Sequence, residues 1–394
     1  MLSSKDKTNI MNVCCKIAKY GLGLTSPNPI VGAALVDPKG EIVAKGHHKI
    51  YGGNHAEINA INDAKANGIE DFSDLALFVT LEPCNHFGKT PPCTEEIIKA
   101  GIKNVYIGIK DPNPLVSGKG IVRLKEAGIN VKIGIAKKEC TNLIADYINY
   151  ILKGMPYITL KVAQSLDGFI ASKQNENKYL TSLESRMEVH RMRSYCAVLV
   201  GINTILVDDP ILDNRLMVDN NSYNSNIKKN ALLKTIILDT NLRTPPTSKV
   251  FSVKENRQIF IAYSADLDID VPDVKARKEA LEKQGAILIK SDIKNGEIHL
   301  RKLLSLLSVE YNIMHIMVEG GGKVFSSFVN SRLLNRLIVY TAPMLIGDGI
   351  KAFPNADKNT LNDILNTSGK LCYLSGKDMV NIFYRDMKIE TENI

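Results

Sequence analysis

The feature that most constrains this chain is His55-Ala56-Glu57, answered further along by Pro83-Cys84 and then by Cys93. One imidazole and two thiols lie on three separate segments. If they serve a single ion, those segments must converge, and that requirement alone dictates a tertiary fold. Zinc suits such a set: Cys and His ligate it tetrahedrally, and three protein ligands leave a fourth position open for water. Cys93 opens a predicted helix, Thr94 to Ala100, stopped by Gly101. A thiolate at a helix N-terminus is favoured by the positive end of the macrodipole.

A second predicted helix starts at the His-x-Glu itself. Ile58, Ala60, Ile61 and Ala64 repeat with helical period and Asn67-Gly68 stops them. A lone His-x-Glu is more often a solvated helix start, and a lone cysteine pair is more often two buried thiols. The combination, in this order and with Pro before the first Cys, carries the information. It is close to the signature of zinc deaminases, whose essential Glu is not a metal ligand. In that chemistry the metal lowers the pKa of a water molecule. Glu57 would carry protons between that water, a ring nitrogen and departing ammonia. Eight residues, Asn85 to Pro92, separate the cysteines, where the short C-x-x-C form has two.

At 394 residues the chain is long for one core, so two domains are expected. With 44% hydrophobic and 23% charged residues it belongs to the ordinary soluble globular class. No apolar run reaches the length of a membrane span, and the N-terminus lacks the apolar core of a secretory signal. Seven cysteines form no disulfide framework and fit a reducing cytoplasm. A net charge of +8 invites a nucleic-acid reading. The lysines are dispersed, however, and no basic run is interleaved with aromatics, which argues against nucleic acid; a small phosphorylated substrate would need only a few well-placed cations.

In chain order, residues 5–20 read as an amphipathic helix, with Cys14 and Cys15 as core and flank. Ser26-Pro27-Asn28-Pro29 is a stiff turn. Ile30–Val36 and Glu41–Gly46 form a hairpin leading to His47 and His48, which are expected to wall the metal region. Strands follow at Leu75–Thr80, Asn104–Ile109 and Val131–Ile135, with helices at Lys119–Ala127 and Lys137–Leu152. The segment His86 to Pro92 is a loop at the mouth of the site. Lys153-Gly154-Met155-Pro156 breaks the pattern and marks a domain boundary. The alternation then resumes from Tyr157–Val162 to Arg336–Thr341, which indicates a second α/β sheet. Asp219–Asn230 is Asn- and Ser-rich and reads as a mobile surface insertion.

The second half offers a different set of polar features. Glu319-Gly320-Gly321-Gly322 runs from a strand into a helix of Lys323 to Asn330, where backbone N–H groups can approach phosphate. It matches neither the dinucleotide fingerprint nor a Walker A loop. Arg193 and Arg215 could clamp a phosphate, and Asp208-Asp209-Pro210 is a turn with helix-capping character. Spacing alone gives only a possible nucleotide-type site.

Taken together, the sequence closely resembles the bacterial bifunctional riboflavin-biosynthesis family, a pyrimidine deaminase fused to a reductase. The matching stretches in the first half are Pro27–Gly32, Gly53–Glu57, Glu82–Cys93 and Asp111–Pro114; in the second they are Ser165–Gly168, Asp208–Pro210, Val318–Gly321 and Ala342–Gly347. The eight-residue gap between the cysteines is a family feature. The resemblance implies an α/β chain of two domains: residues 1–153, a cytidine-deaminase-like α/β/α sandwich, and residues 154–394, an α/β domain like dihydrofolate reductase. It implies zinc on His55, Cys84 and Cys93, with Glu57 as proton shuttle. The substrate would be 2,5-diamino-6-ribosylamino-4(3H)-pyrimidinone 5′-phosphate, deaminated first and then reduced by NADPH in its ribosyl chain.

Carried over residue by residue, the family's cofactor contacts fall on Ala163, Tyr179, Thr204, Asp208, Thr240 and Gly321, Gly322, Lys323, Val324, Phe325, Ser326 and Ser327. Substrate contacts fall on Asn28, Asn177, Arg193, Leu212, Arg215 and Glu319. The resemblance also implies a homo-oligomer through the reductase domain. Phe169-Ile170, Asn175-Glu176-Asn177 and Tyr179 depart from the family pattern; Tyr179 can still stack where Trp is usual. A nucleoside or tRNA zinc deaminase with an unrelated appended domain is the alternative, as is a catalytically dead binding protein, against which the intact Glu57 argues.

Overall fold

The computed structural model describes residues 2–87, 91–173, 179–217 and 231–385. The expected insertion at 219–230 and the Asn177 position lie outside them, as does the centre of the loop between the cysteines. Two compact units divide between Gly154 and Met155.

The first unit contains α1 (Ser4–Ala18), β1 (Gly32–Val36), β2 (Ile42–His47), α2 (Ala56–Ala66), β3 (Ala76–Leu81) and α3 (Cys93–Lys99). It continues through β4 (Asn104–Ile109), α4 (Lys119–Glu126), β5 (Asn130–Ile133), α5 (Lys137–Leu143) and α6 (Ala145–Lys153). The sheet order is β2-β1-β3-β4-β5. The hairpin β1–β2 and the β1–β3 pair are antiparallel, whereas β3–β4 and β4–β5 are parallel. Strict alternation sends Leu35, Leu77 and Val79 to one face, where Ala56, Ala60, Ala64, Ile97 and Leu124 of α2, α3 and α4 meet them. Helices α1 and α5 cover the opposite face and contact each other. Cys14 is fully buried there, and Cys15, expected as a flanking position, is largely buried and seated 3.6 Å from Cys140 Sγ. The single helix expected over 137–152 is two, because Ile144 leaves the helical region at φ −116° and ψ 30°.

The second unit contains β6 (Tyr157–Ser165), β7 (Phe169–Ser172), α7 (Leu183–Arg193), β8 (Ala197–Gly201), α8 (Ile202–Asp208), β9 (Leu233–Leu238) and β10 (Arg257–Ser264). Next come α9 (Pro272–Lys283), β11 (Ala286–Ser291), β12 (Ile293–Lys294), β13 (Glu297–Ile298), α10 (Leu300–Tyr311), β14 (His315–Val318) and α11 (Gly322–Asn330). The chain closes with β15 (Arg336–Ala342), β16 (Gly349–Lys351), α12 (Lys358–Thr367), β17 (Ser368–Ser375) and β18 (Asp378–Arg385). Nine strands share one sheet in the order β11-β10-β9-β8-β14-β6-β15-β18-β17. From β11 to β15 all pairs are parallel, and β18 and β17 add antiparallel strands at one edge. The central strands are apolar on both faces, as a helix-covered parallel sheet requires. Asp208-Asp209 closes a helix instead of opening one: Asp208 ends α8, and Asp209 takes its left-handed cap at φ 40°. Among the described residues no helix is long and apolar enough to cross a membrane.

Candidate metal centre and reductase site

Convergence of the three ligands follows from the sheet. His55 is the N-cap of α2, Cys84 follows β3, and Cys93 begins α3. His55 Nδ1 lies 3.5 Å from Cys84 Sγ and 3.2 Å from Cys93 Sγ, and the three donor atoms all fall within 4.8 Å of one another. A tetrahedral zinc with ordinary Zn–S and Zn–N bonds puts sulfur and nitrogen about 3.6 Å apart. The donors therefore fit the ion in both type and spacing.

The three donors perturb one another: the hydrogen bond with Cys84, then burial, pushes the Cys93 thiol up. The Cys84 thiol is driven down to about 4, first by its hydrogen bond with Cys93 and then by His55. Its sulfur also accepts from the Cys93 N–H at 3.4 Å. Hydrogen bonding to Cys84 raises His55 to about 8. Glu57, on the first turn of α2 and only 3% exposed, is pushed up to about 7 by burial, with His55 opposing. An acid there can hold or release a proton near neutral pH.

His55, Glu57 and Cys84 line a cavity of about 420 Å³. Asn28, His48, Asp111 and Tyr147 line it too. His48 Nδ1 donates to the Asn54 carbonyl (3.1 Å), which leaves Nε2 to accept from the Asn28 amide at 3.4 Å. Burial lowers the His48 pKa. His47 is not among the lining residues; its ring lies tilted at 60° against Tyr20, with centroids 5.7 Å apart. Burial pushes Asp111 up to about 6. Asp111, Glu82 and Tyr147 were not singled out from sequence. Tyr147 comes from α6, far along the chain, and no local pattern marks it.

In the second unit, most of the carried-over residues lie at the carboxyl ends of the central strands. Ala163 lies near the C-terminal end of β6, Thr204 and Asp208 follow β8, Thr240 follows β9, and Glu319 to Ser327 follow β14. Ligands of open parallel sheets bind beyond these strand ends. A Cβ on Gly320 would sit 2.9 Å from Thr204 Oγ1, and Gly321 adopts φ +68°, so only glycines let the β14 and β8 ends close up here. The start of α11 is thus a place where backbone N–H groups can meet a cofactor phosphate. Phe325 and Ser326 are buried, with Ser326 Oγ donating to Gly322 O and the Phe325 N–H donating to Gly321 O. Tyr179 is exposed and lies under Arg186, 4.4 Å from its guanidinium carbon.

Arg193 is committed elsewhere than to a phosphate. Its Nε and Nη2 donate to the two Glu319 oxygens at 2.7 and 2.8 Å, and Nη1 donates to Asp213 O at 3.0 Å. Glu319 is held below the usual carboxylate range by Arg193, against burial. Lys161, whose charge burial disfavours, has Glu319 opposing that shift. Arg215 is different: its side chain is 46% exposed and pairs with Asp213 at 2.5 Å. Leu212 is buried, with φ +55°.

His190 sits within this cluster, and a pH prediction follows. Its Nδ1 accepts from Leu216 N–H, and Arg193 Nη1 lies 3.4 Å from Nε2. Burial, then the Arg193 charge, lowers the ring to about 4. A His with a depressed folded pKa contributes stability above its unfolded value and loses it as pH falls. Between about pH 6.5 and 4 the second unit should therefore lose on the order of 2–3 kcal/mol. His190→Gln should flatten that slope in urea melts across the window; an unchanged slope would remove His190 as its source.

Comparisons with known proteins agree with both halves. Residues 4–109 match the family model for the cytidine and deoxycytidylate deaminase zinc-binding region, and residues 156–378 match the RibD C-terminal domain. The riboflavin biosynthesis protein RibD of Aquifex aeolicus is 38% identical, covering 98% of this chain and 100% of that protein. That of Bacillus amyloliquefaciens is 40% identical over 86% of this chain and 84% of the relative. Among solved structures, Acinetobacter baumannii RibD superposes with a TM-score of 0.80 at 32% identity, over 98% of this chain and 100% of that one. A Thermotoga maritima diaminohydroxyphosphoribosylaminopyrimidine deaminase/5-amino-6-(5-phosphoribosylamino)uracil reductase gives a TM-score of 0.80 at 31% identity, covering 97% and 99%.

Proposed function

Because the chain belongs to the RibD family of bifunctional riboflavin-biosynthesis enzymes, we propose that it acts on 2,5-diamino-6-ribosylamino-4(3H)-pyrimidinone 5′-phosphate in two steps. The first unit releases the amine as ammonia. The second reduces the ribosyl chain to ribityl with NADPH. The observation that carries the first step is the convergence of His55, Cys84 and Cys93 beside the buried Glu57. The match of residues 156–378 to a reductase domain removes the alternative of an unrelated appended domain.

On this reading His55, Cys84 and Cys93 hold zinc, which when bound lowers the pKa of a water in its open position. Glu57 takes a proton from the attacking water at its carboxylate and gives it to the ring nitrogen, then takes a second from the hydroxyl added to the ring carbon and gives it to the leaving amine. His48 and the Asn28 amide fix one edge of the base. In the second unit, the Gly320–Gly322 turn receives the cofactor's phosphate groups, and Ala163, Thr204, Asp208 and Thr240 line its path. Arg193 orients Glu319 toward the ribosyl chain; the exposed Arg215 meets the 5′-phosphate.

Arg215→Ala should then weaken the phosphorylated substrate by roughly 10- to 100-fold, the loss of one charge-assisted contact, while its dephosphorylated analogue is little affected. Equal losses in KM for the two would remove the phosphate assignment. We place the protein in the cytoplasm, where its free thiols stay reduced, and as a homo-oligomer through the reductase domain, on the family resemblance. Incubation with the diaminopyrimidine phosphate tests the whole reading. Ammonia should appear without NADPH, and NADPH oxidation should require the deaminated product. Ammonia release only from cytidine or adenosine would overturn it.

A further inference from the structure

Glu82 is a buried acid that the chemistry above does not use. It stands two positions before Cys84, 6% exposed. Its carboxylate accepts four backbone N–H bonds. Asp111 and Gly118 donate to Oε2 at 3.1 and 2.9 Å, and Gly120 and Ile121 donate to Oε1 at 2.9 and 3.2 Å. Among the described residues no cationic side chain forms an ion pair with it. Its charge is met by backbone dipoles at the start of α4.

The packing around this carboxylate is close. A Cβ on Gly120 would fall 2.0 Å from the Pro83 carbonyl oxygen, so the start of α4 is pressed against the peptide that leads into Cys84. The same carboxylate holds Asp111 N–H, and Asp111, Asn113 and Val116 form one wall of the cavity. One side chain thus ties the loop carrying a metal ligand to the loop facing the substrate.

We propose that Glu82 is a positioning residue of the deaminase, holding Cys84 toward its fellow ligands and the Asp111–Val116 wall at a fixed distance from the metal. It rests on the first unit being a zinc deaminase. Glu82→Gln keeps the shape but presents an amide NH₂ to two of the four N–H donors, so half the set is lost. Glu82→Asp keeps the charge with a shorter reach.

The test uses the full-length, zinc-loaded protein. In the wild type, amide exchange at Asp111, Gly118, Gly120 and Ile121 should be slow; fast exchange there would overturn the proposal without any variant. In Glu82→Gln, exchange over 111–121 should speed up while the α2 amides and the second unit stay as they were. Zinc transfer to EDTA should accelerate roughly 10- to 100-fold, the usual cost of losing a group that orients a metal ligand, and Glu82→Asp should recover part of it. The deaminase KM should rise more than kcat falls. Zinc transfer within twofold of wild type, or exchange accelerated throughout the first unit, would refute the role. Should the wild type release no ammonia, the deaminase reading fails, while zinc transfer and exchange still decide the place of Glu82.

Discussion

Glu57→Gln is expected to retain one zinc per chain and to lower ammonia release by about 10²–10⁴-fold, the usual contribution of a positioned acid–base group. The argument is geometric before it is chemical. Glu57 is buried on the first turn of α2, two residues after His55, the N-cap residue of the same helix. It is not one of the three donors grouped for a metal ion. The amide has the same shape, so packing and ligands should survive. What disappears is a group that takes up and gives back a proton near neutrality. Reduction of the deaminated product, a reaction of the second unit, should proceed at the wild-type rate. Metal content and the two turnover rates are measured on one preparation. Ammonia release within tenfold of wild type would contradict the proton-shuttle role; loss of zinc would mean that Glu57 supports the ligands instead.

The second large effect is expected at Glu319. With side chains only 13% and 7% exposed, Arg193 and Glu319 form a bidentate pair. Such a pair adds little over a well-packed apolar one, but removing one member leaves a buried charge and costs about 3–5 kcal/mol. Glu319→Gln should therefore lower the melting temperature of the second unit by about 10 °C and abolish NADPH oxidation, while ammonia release persists. Replacing both residues with Met should recover most of the stability and none of the activity. A single-variant cost below about 1 kcal/mol would show that the pair is better hydrated than its burial indicates.

How much of this could be read from sequence depends on how local each signal is. The metal ligands were legible because zinc restricts residue type so strongly that three positions suffice. Helices α2 and α3 followed from period and stop signals around them. The alternation of strands and helices gave the layered architecture through β15. Beyond it, β16, α12 and the β17–β18 hairpin went unread. Leu371 and Leu374 of edge strand β17 are exposed, and an edge strand lacks the apolar run that marked its buried neighbours. Helix α8 is a seven-residue segment, too short for period to show.

Residues whose role depends on distant partners were harder still. Glu82 is held by amides 29 to 39 positions away. Arg193 looks like a phosphate clamp in sequence, because its partner Glu319 stands 126 residues off. Only the fold reveals that its charge is already matched by a buried carboxylate.

The most direct test of the metal centre is zinc-edge X-ray absorption on the purified protein, with zinc content measured on the same sample. One zinc per chain with two sulfurs at about 2.3 Å and nitrogen and oxygen at about 2.0–2.1 Å is the expected result, with one sulfur lost in Cys93→Ser. A first shell without sulfur, or zinc bound as tightly in Cys93→Ser with an unchanged spectrum, would contradict the assignment of His55, Cys84 and Cys93 to a single ion.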